Sequence, residues 1–117
     1  MTDVSLLNDE LDRMVLGGKA MDAFEKFYAE DVVMQENTSE PTAGKAANRQ
    51  RELDFFAKVE QFHGMKIIGS AARGDRSYSE VEMDITFKGG VRVQMNQVCA
   101  RQWKNGQIVN ERFYYKG

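Results

Sequence analysis

Four polar residues stand where an apolar strand face is expected: Gln97, Cys99, Arg101 and Glu111. Burying such groups costs free energy unless each finds a partner, so their placement calls for a reason. Asn105-Gly106, the strongest short hairpin signal in the chain, joins the two segments that carry them. A two-residue turn sets Lys104 against Gln107 and Arg101 against Asn110, whereas a small bulge sets Arg101 against Glu111. In either register Arg101 and Glu111 are same-face neighbours within salt-bridge reach. In one reading they form a structural ion pair at the rim of a sheet. In the other, Glu111 and Gln97 line a cavity and orient a ligand. Its walls would be Met83, Phe87, Met95, Trp103, Phe113 and Tyr115, which could equally be plain core.

Glu36 is the second acid of interest. It follows the β-prone run Val32-Val33-Met34-Gln35 and precedes a polar loop. A carboxylate at the mouth of an apolar cavity would have its charged form disfavoured by desolvation, which suits a general base. On a solvated loop it would do nothing. His63, before Gly64, reads as a residue of the last helical turn that interacts with the helix dipole. Cys99 is the only cysteine and His63 the only histidine, so neither a disulfide nor the usual zinc site is expected. Cys99 reads as a small buried apolar residue rather than a nucleophile. We expect no metal and no cofactor.

The elements that must position these residues differ between the two halves. Leu7, Leu11 and Met14 lie on one helical face, and Gly17-Gly18 ends that helix. Ala20, Phe24, Phe27 and Tyr28 form the stripe of a second helix ending near Glu30-Asp31. The stretch from Glu36 to Gly44 holds the only proline and reads as a loop. A third helix is expected from about Lys45 to Gln61, with Ala46, Leu53, Phe56 and Val59 inward and Gly64 as its stop. Lys45, Arg49 and Arg51 would be its solvated face. From Lys66 the period becomes two, the signature of half-buried strands. Lys66 to Arg73 is a weak first strand. Ser79, Val81, Met83, Ile85 and Phe87 share a face in the next, which turns at Gly89-Gly90. The odd positions from Val91 to Trp103 do so in the third, and Val109, Glu111, Phe113 and Tyr115 in the last. Helices followed by a meander imply an α+β fold with the apolar face of the sheet against the helices.

Composition sets the frame. The 117 residues suffice for one core, so 1–117 reads as a single domain. A net charge of −2 gives no electrostatic reason to expect nucleic acid or an anionic membrane. No apolar run approaches the roughly 18–20 residues of a bilayer span, and the N-terminus lacks a signal-peptide pattern, so the expected location is cytoplasmic. Val98 and Ala100 are apolar on the outer face beside Tyr78 and Tyr114, which points to a homodimer through that face.

The run from Phe27 to Met34, the polar loop to Gly44 and the ending Arg101 to Val109 followed by Arg112-Phe113-Tyr114-Tyr115 resemble the SnoaL-like and ketosteroid-isomerase-like proteins. The resemblance covers nearly the whole chain. It implies the cystatin-like, cone-shaped fold of the nuclear transport factor 2-like superfamily, a curved antiparallel sheet wrapped around N-terminal helices. It also implies a small apolar or cyclic organic ligand. In the isomerases a carboxylate base stands eight residues after the tyrosine of the motif, and here that residue is Glu36, counting from Tyr28. The position of the second isomerase acid, four residues before the strand-end aromatic Trp103, holds Cys99. No tyrosine stands near Asp12 and Arg13, where the isomerases place an oxyanion donor; Gln97, Tyr28 or Tyr115 could donate instead. Limonene epoxide hydrolase, another branch, uses an Asp-Arg-Asp set. Arg101 and Glu111 match two of its members, and Cys99 and Trp103 flank Arg101 where the third would be. SnoaL-type cyclases use one acid for proton transfer, a part open to Glu36 or Glu111. The resemblance therefore implies either cofactor-free proton transfer beside a carbonyl or a non-catalytic ligand-binding or dimerisation module.

Overall fold

In the computed structural model, which describes residues 3–116, the first helix, α1, spans Val4–Leu16. Its ends explain its length. The Asp3 carboxylate accepts the Leu6 N–H at 3.2 Å, an N-cap. At the other end the Lys19 N–H reaches the Met14 carbonyl at 2.9 Å and the Gly18 N–H the Val15 carbonyl at 3.1 Å. Gly18 adopts φ 80°. This is a Schellman closure, which favours glycine at that position.

The second helix, α2, is Ala20–Phe27. It stops earlier than the apolar stripe suggests, because Tyr28 is already extended and opens strand β1, Tyr28–Glu36. The short β-prone run is the centre of a nine-residue strand. Part of the expected loop is ordered too: Thr42–Ala43 form β2, which pairs with Val33 and Met34. Helix α3 is Lys45–Ala57, shorter than expected. The chain then enters β3, Val59–Arg73, so Val59, His63 and Gly64 belong to a strand. His63 caps no helix; its Nε2 meets Thr86 Oγ1 at 2.7 Å. The inner face of α3 is also corrected. Ala46, Leu53 and Phe56 are exposed, while Lys45 and Asn48 are buried. Lys45 donates to the Glu25 carbonyl at 2.9 Å, and Asn48 Nδ2 donates to the Thr42 and Gly44 carbonyls, each at 2.9 Å. Polar anchors, not an apolar stripe, hold the start of this helix.

Strands β4 (Arg76–Phe87), β5 (Val91–Lys104) and β6 (Gln107–Tyr115) complete a six-stranded sheet of order β2-β1-β6-β5-β4-β3. All pairings are antiparallel except β1 with β6. The period-two reading holds through β4 and most of β5: Val81, Ile85, Cys99, Arg101 and Trp103 are buried. Val91, expected on the same face, is exposed where the ladder ends. After the Asn105-Gly106 turn, with φ 53° and 79°, the register shifts so that Trp103 faces Ile108 and Gln102 faces Asn110. Val109 is therefore the extra residue of a bulge, and Ile108 takes the inward place expected for Val109. Of the two registers the sequence allows, the bulged one is adopted, and Arg101 pairs with Glu111. The buried cluster of Leu11, Phe24, Phe27, Val32, Met34, Trp103 and Ile108 fastens α1 and α2 to one end of the sheet. At about 1.5–3 kcal/mol per buried large apolar side chain, this cluster anchors the fold and leaves the other end open. No helix among the described residues is long and apolar enough to cross a membrane.

Candidate functional site

Strand register sets two rows of side chains on the inner face. Ser77, Arg101, Glu111 and Met34 lie side by side across β4, β5, β6 and β1. The next row is Ser79, Cys99, Phe113 and Glu36. Glu36 thus shares the inward side of β1 with the buried Val32 and Met34, one step nearer the open end. Asn37 clamps that corner. It adopts φ 49°, its N–H donates to the Phe113 carbonyl at 2.8 Å, and its side chain accepts the Tyr115 N–H at 2.9 Å.

The first row is the heart of a buried polar network. Arg101 Nε donates to Glu111 Oε2 at 2.8 Å, and its NH1 donates to Asp12 Oδ1 at 3.0 Å and Asn8 Oδ1 at 2.7 Å. Tyr28 donates its hydroxyl to the other Glu111 oxygen. Ser79 donates to Asp12 Oδ2 at 2.6 Å, Ser77 to Asn8 Oδ1 at 2.7 Å, and Trp103 Nε1 to Ser77 Oγ at 2.8 Å. Every buried side-chain N and O atom among the described residues has a partner, as the cost of an unmet buried group requires. The pair foreseen at a sheet rim is therefore central and buried, and Asp12 is a second carboxylate on the same guanidinium. Burial opposes the Arg101 charge, but Glu111 and the other acids outweigh it and hold its pKa well above the usual value. Burial, then the Glu111 carboxylate, raise Tyr28 well above an ordinary phenol.

Beyond this network the sheet opens around a cavity of about 600 Å3. This size accommodates a small organic molecule. Of the residues singled out from sequence, Tyr28, Glu36, Met83, Met95, Gln97, Cys99, Arg101, Glu111 and Phe113 line it. Phe87, Trp103 and Tyr115 lie outside the lining, and Phe87 instead meets the Phe55 ring edge-on at 6.0 Å. Trp103 packs edge-on against Phe27 at 5.9 Å in the core. Tyr115 stands beside Glu36, and burial followed by that carboxylate raises its phenol pKa. Burial pushes the Cys99 thiol up to about 12, so it presents no thiolate near neutral pH.

Two acids flank the cavity between β1 and α3. Glu36 is 48% exposed and ion-paired with Arg51 at 3.5 Å, a more solvated setting than expected for an acid at an apolar mouth. The desolvated acid is Glu52, one residue from Arg51 on α3, which also lines the cavity. Burial first, then the Glu111 charge, push its carboxyl up to about 7, with Glu36 adding and Arg51 opposing. Sequence reasoning missed Glu52, Asp12 and Asn8. Glu52 gave no signal as one of many charged residues in a polar helix. Asn8 and Asp12, four apart, lie on one face of α1 with Leu11, which is the trace they leave. Among the described residues no three His, Cys, Asp or Glu side chains are grouped to hold a metal ion.

The chain matches the SnoaL-like domain family over residues 2–115. It is similar to the crystal structure of a Mesorhizobium loti protein assigned as a SnoaL-like polyketide cyclase, with 29% identity, 97% and 100% of the two chains covered and a TM-score of 0.89. An NTF2-like protein of unknown function from Burkholderia pseudomallei has 11% identity, covers 99% and 92%, and scores 0.83. A protein with a ketosteroid isomerase-like fold from Catenulispora acidiphila, in complex with trimethylamine, has 16% identity, covers 88% and 80%, and scores 0.73. The last two show the fold alone. A comparison with curated proteins finds no match.

Proposed function

We propose that this chain, which belongs to the SnoaL-like domain family, binds a small, largely apolar cyclic molecule and transfers a proton at a carbon beside a carbonyl. The observation that carries the proposal is an apolar cavity of about 600 Å3 with Glu36 on its wall. In this reading Glu36 takes the proton, and Arg51 holds its carboxylate in place. Gln97, on the cavity wall, is a donor near the reacting oxygen, while Tyr115 stands outside the lining beside Glu36. The Arg101–Glu111 pair contributes fixed charge beneath it. No step calls on a cofactor.

The test needs no knowledge of the natural substrate. Small cyclic ketones are incubated with the protein in D2O, and exchange of their α-protons is followed by NMR. We expect Glu36→Gln to slow exchange by about 10²–10⁴-fold, the usual worth of a positioned general base. Unchanged exchange in a folded variant removes Glu36 from the role.

The second reading is a non-catalytic ligand-binding or dimerisation module, and one observation favours it. The Arg101 network is saturated by its own partners, as a purely structural cluster would be. A pocket that binds cyclic ketones or phenols but exchanges no α-protons supports this reading. In both, the outer face of the sheet pairs two copies of the chain.

A further inference from the structure

We infer that Glu52 is a second catalytic carboxyl of this cavity, the proton donor to the substrate's carbonyl oxygen while Glu36 acts at the neighbouring carbon. The inference rests on the proton-transfer reading above.

Three observations place Glu52 in this role. It lies on α3 and lines the cavity, on the same flank as Glu36. It is part-buried, yet its side chain makes no hydrogen bond or ion pair with a described residue. The adjacent cation is committed elsewhere: Arg51 reaches Glu36 at 3.5 Å and donates to Asn48 Oδ1 at 3.1 Å. The Glu52 side chain is turned to the cavity rather than to the outer surface of the helix. The groups that face Glu52 are Glu111 on β6, Glu36 at the end of β1 and Arg51 on α3, with the Tyr28 hydroxyl beyond Glu111. Acids outnumber the cation, and burial is the largest influence, so the carboxyl holds its proton up to about pH 7.

The pair then divides the chemistry, as two acids in unlike surroundings can. The Glu36 carboxylate takes the proton from the α-carbon, and the C–H electron pair becomes the carbon–carbon double bond. The carbonyl π pair moves to oxygen, which receives the Glu52 proton. In the return step Glu36 protonates carbon and Glu52 recovers the proton from oxygen, so both residues end as they began. Glu52 thereby supplies the donor that neither buried Cys99 nor the first helix provides.

The probe is 4-nitrophenol, ionised in the upper part of the pH range used, whose phenolate oxygen stands for the forming enolate. Its dissociation constant is measured by absorbance from pH 6 to 9 for the wild type, Glu52→Gln and Glu36→Gln, each checked for folding by circular dichroism. Above about pH 7 the phenolate needs a protonated Glu52, so wild-type affinity should fall about tenfold per pH unit, one proton's worth. Tyr28 and Cys99 titrate above this window. Glu52→Gln, which donates without titrating, should flatten the fall, and Glu36→Gln should keep it. A fall that persists in Glu52→Gln, or is missing from the wild type, overturns the inference while leaving the binding pocket intact. Failure of the wild type to bind the probe at any pH removes the pocket reading itself, and this inference with it.

Discussion

Glu52 is held where its charged form is disfavoured, and that has a consequence for stability. Its carboxyl is raised from 4.5 to about 7 on folding. Below about pH 4.5 both folded and unfolded chains carry the proton and nothing is lost. As pH rises toward 7 the unfolded chain releases its proton first, so stability falls. Above 7 the full penalty applies. At about 1.4 kcal/mol per pKa unit, discounted for partial exposure, the penalty is about 1–3 kcal/mol. Glu52→Gln should therefore be more stable than the wild type by that amount at pH 8.5 and equal to it at pH 4. Urea unfolding at the two pH values measures this, and an equal difference at both would show that Glu52 is not desolvated. Such a cost is the usual mark of a group kept for function. The sequence showed Arg101 and Glu111 because polarity on an apolar strand face is visible without coordinates. It could not show Glu52, whose burial and whose acidic neighbours, Glu111 on β6 and Glu36 on β1, arise only when the chain folds.

The elements are joined by polar pins as much as by apolar packing. Asn8 accepts from Arg101 and Ser77 and donates to Ser79 at 3.0 Å, so one side chain on α1 ties the helix to both β4 and β5. Asn8→Ala would leave those buried donors short of a partner. We expect a loss of about 1–3 kcal/mol, the desolvation cost of unmet groups, read as a lower urea midpoint with unchanged slope. A loss below about 0.5 kcal/mol, the scale of ordinary surface changes, would mean that the helix is held by its apolar face alone. Because Leu11, Asp12, Val15 and Leu16 of α1 line the cavity, a loosened helix should also weaken 4-nitrophenol binding. The strands β4 and β5 were legible because one face of each is buried and the other wet, which writes alternation into the sequence. The boundary between α3 and β3 was not. β3 lies at the sheet edge and is exposed along most of its length, so it carries no alternation. Phe56 and Val59, three residues apart across the boundary, instead mimic a helical stripe. The bulge at Val109 was legible only as one of two registers, since which of them buries Glu111 depends on Arg101, Asp12 and Tyr28 waiting inside.

At the scale of the whole molecule the two faces of the sheet differ. Its inner face holds the core and the cavity, and its outer face carries an apolar patch that an isolated domain has no reason to keep. Tyr78 stands opposite Ala100, and Val98 opposite Tyr114, on three adjacent strands. Tyr78, Val98 and Tyr114 are 41%, 36% and 46% exposed. Contiguous exposed apolar residues on a regular sheet mark an interaction surface. Two copies of the same face meeting about a two-fold axis would bury it without any further element. The neighbouring Arg112, stacked 4.9 Å from the Tyr114 ring, gives the patch a polar border. We therefore expect a dimer by light scattering at micromolar concentration. Val98→Lys should yield a folded monomer, because Val98 points away from the core and its loss opens no cavity in it. The same variant should bind 4-nitrophenol as the wild type does, since the patch and the cavity lie on opposite faces of the sheet. A monomeric wild type at that concentration would overturn the pairing. A Val98→Lys monomer that loses the ligand would show instead that the curvature around the cavity depends on the second copy.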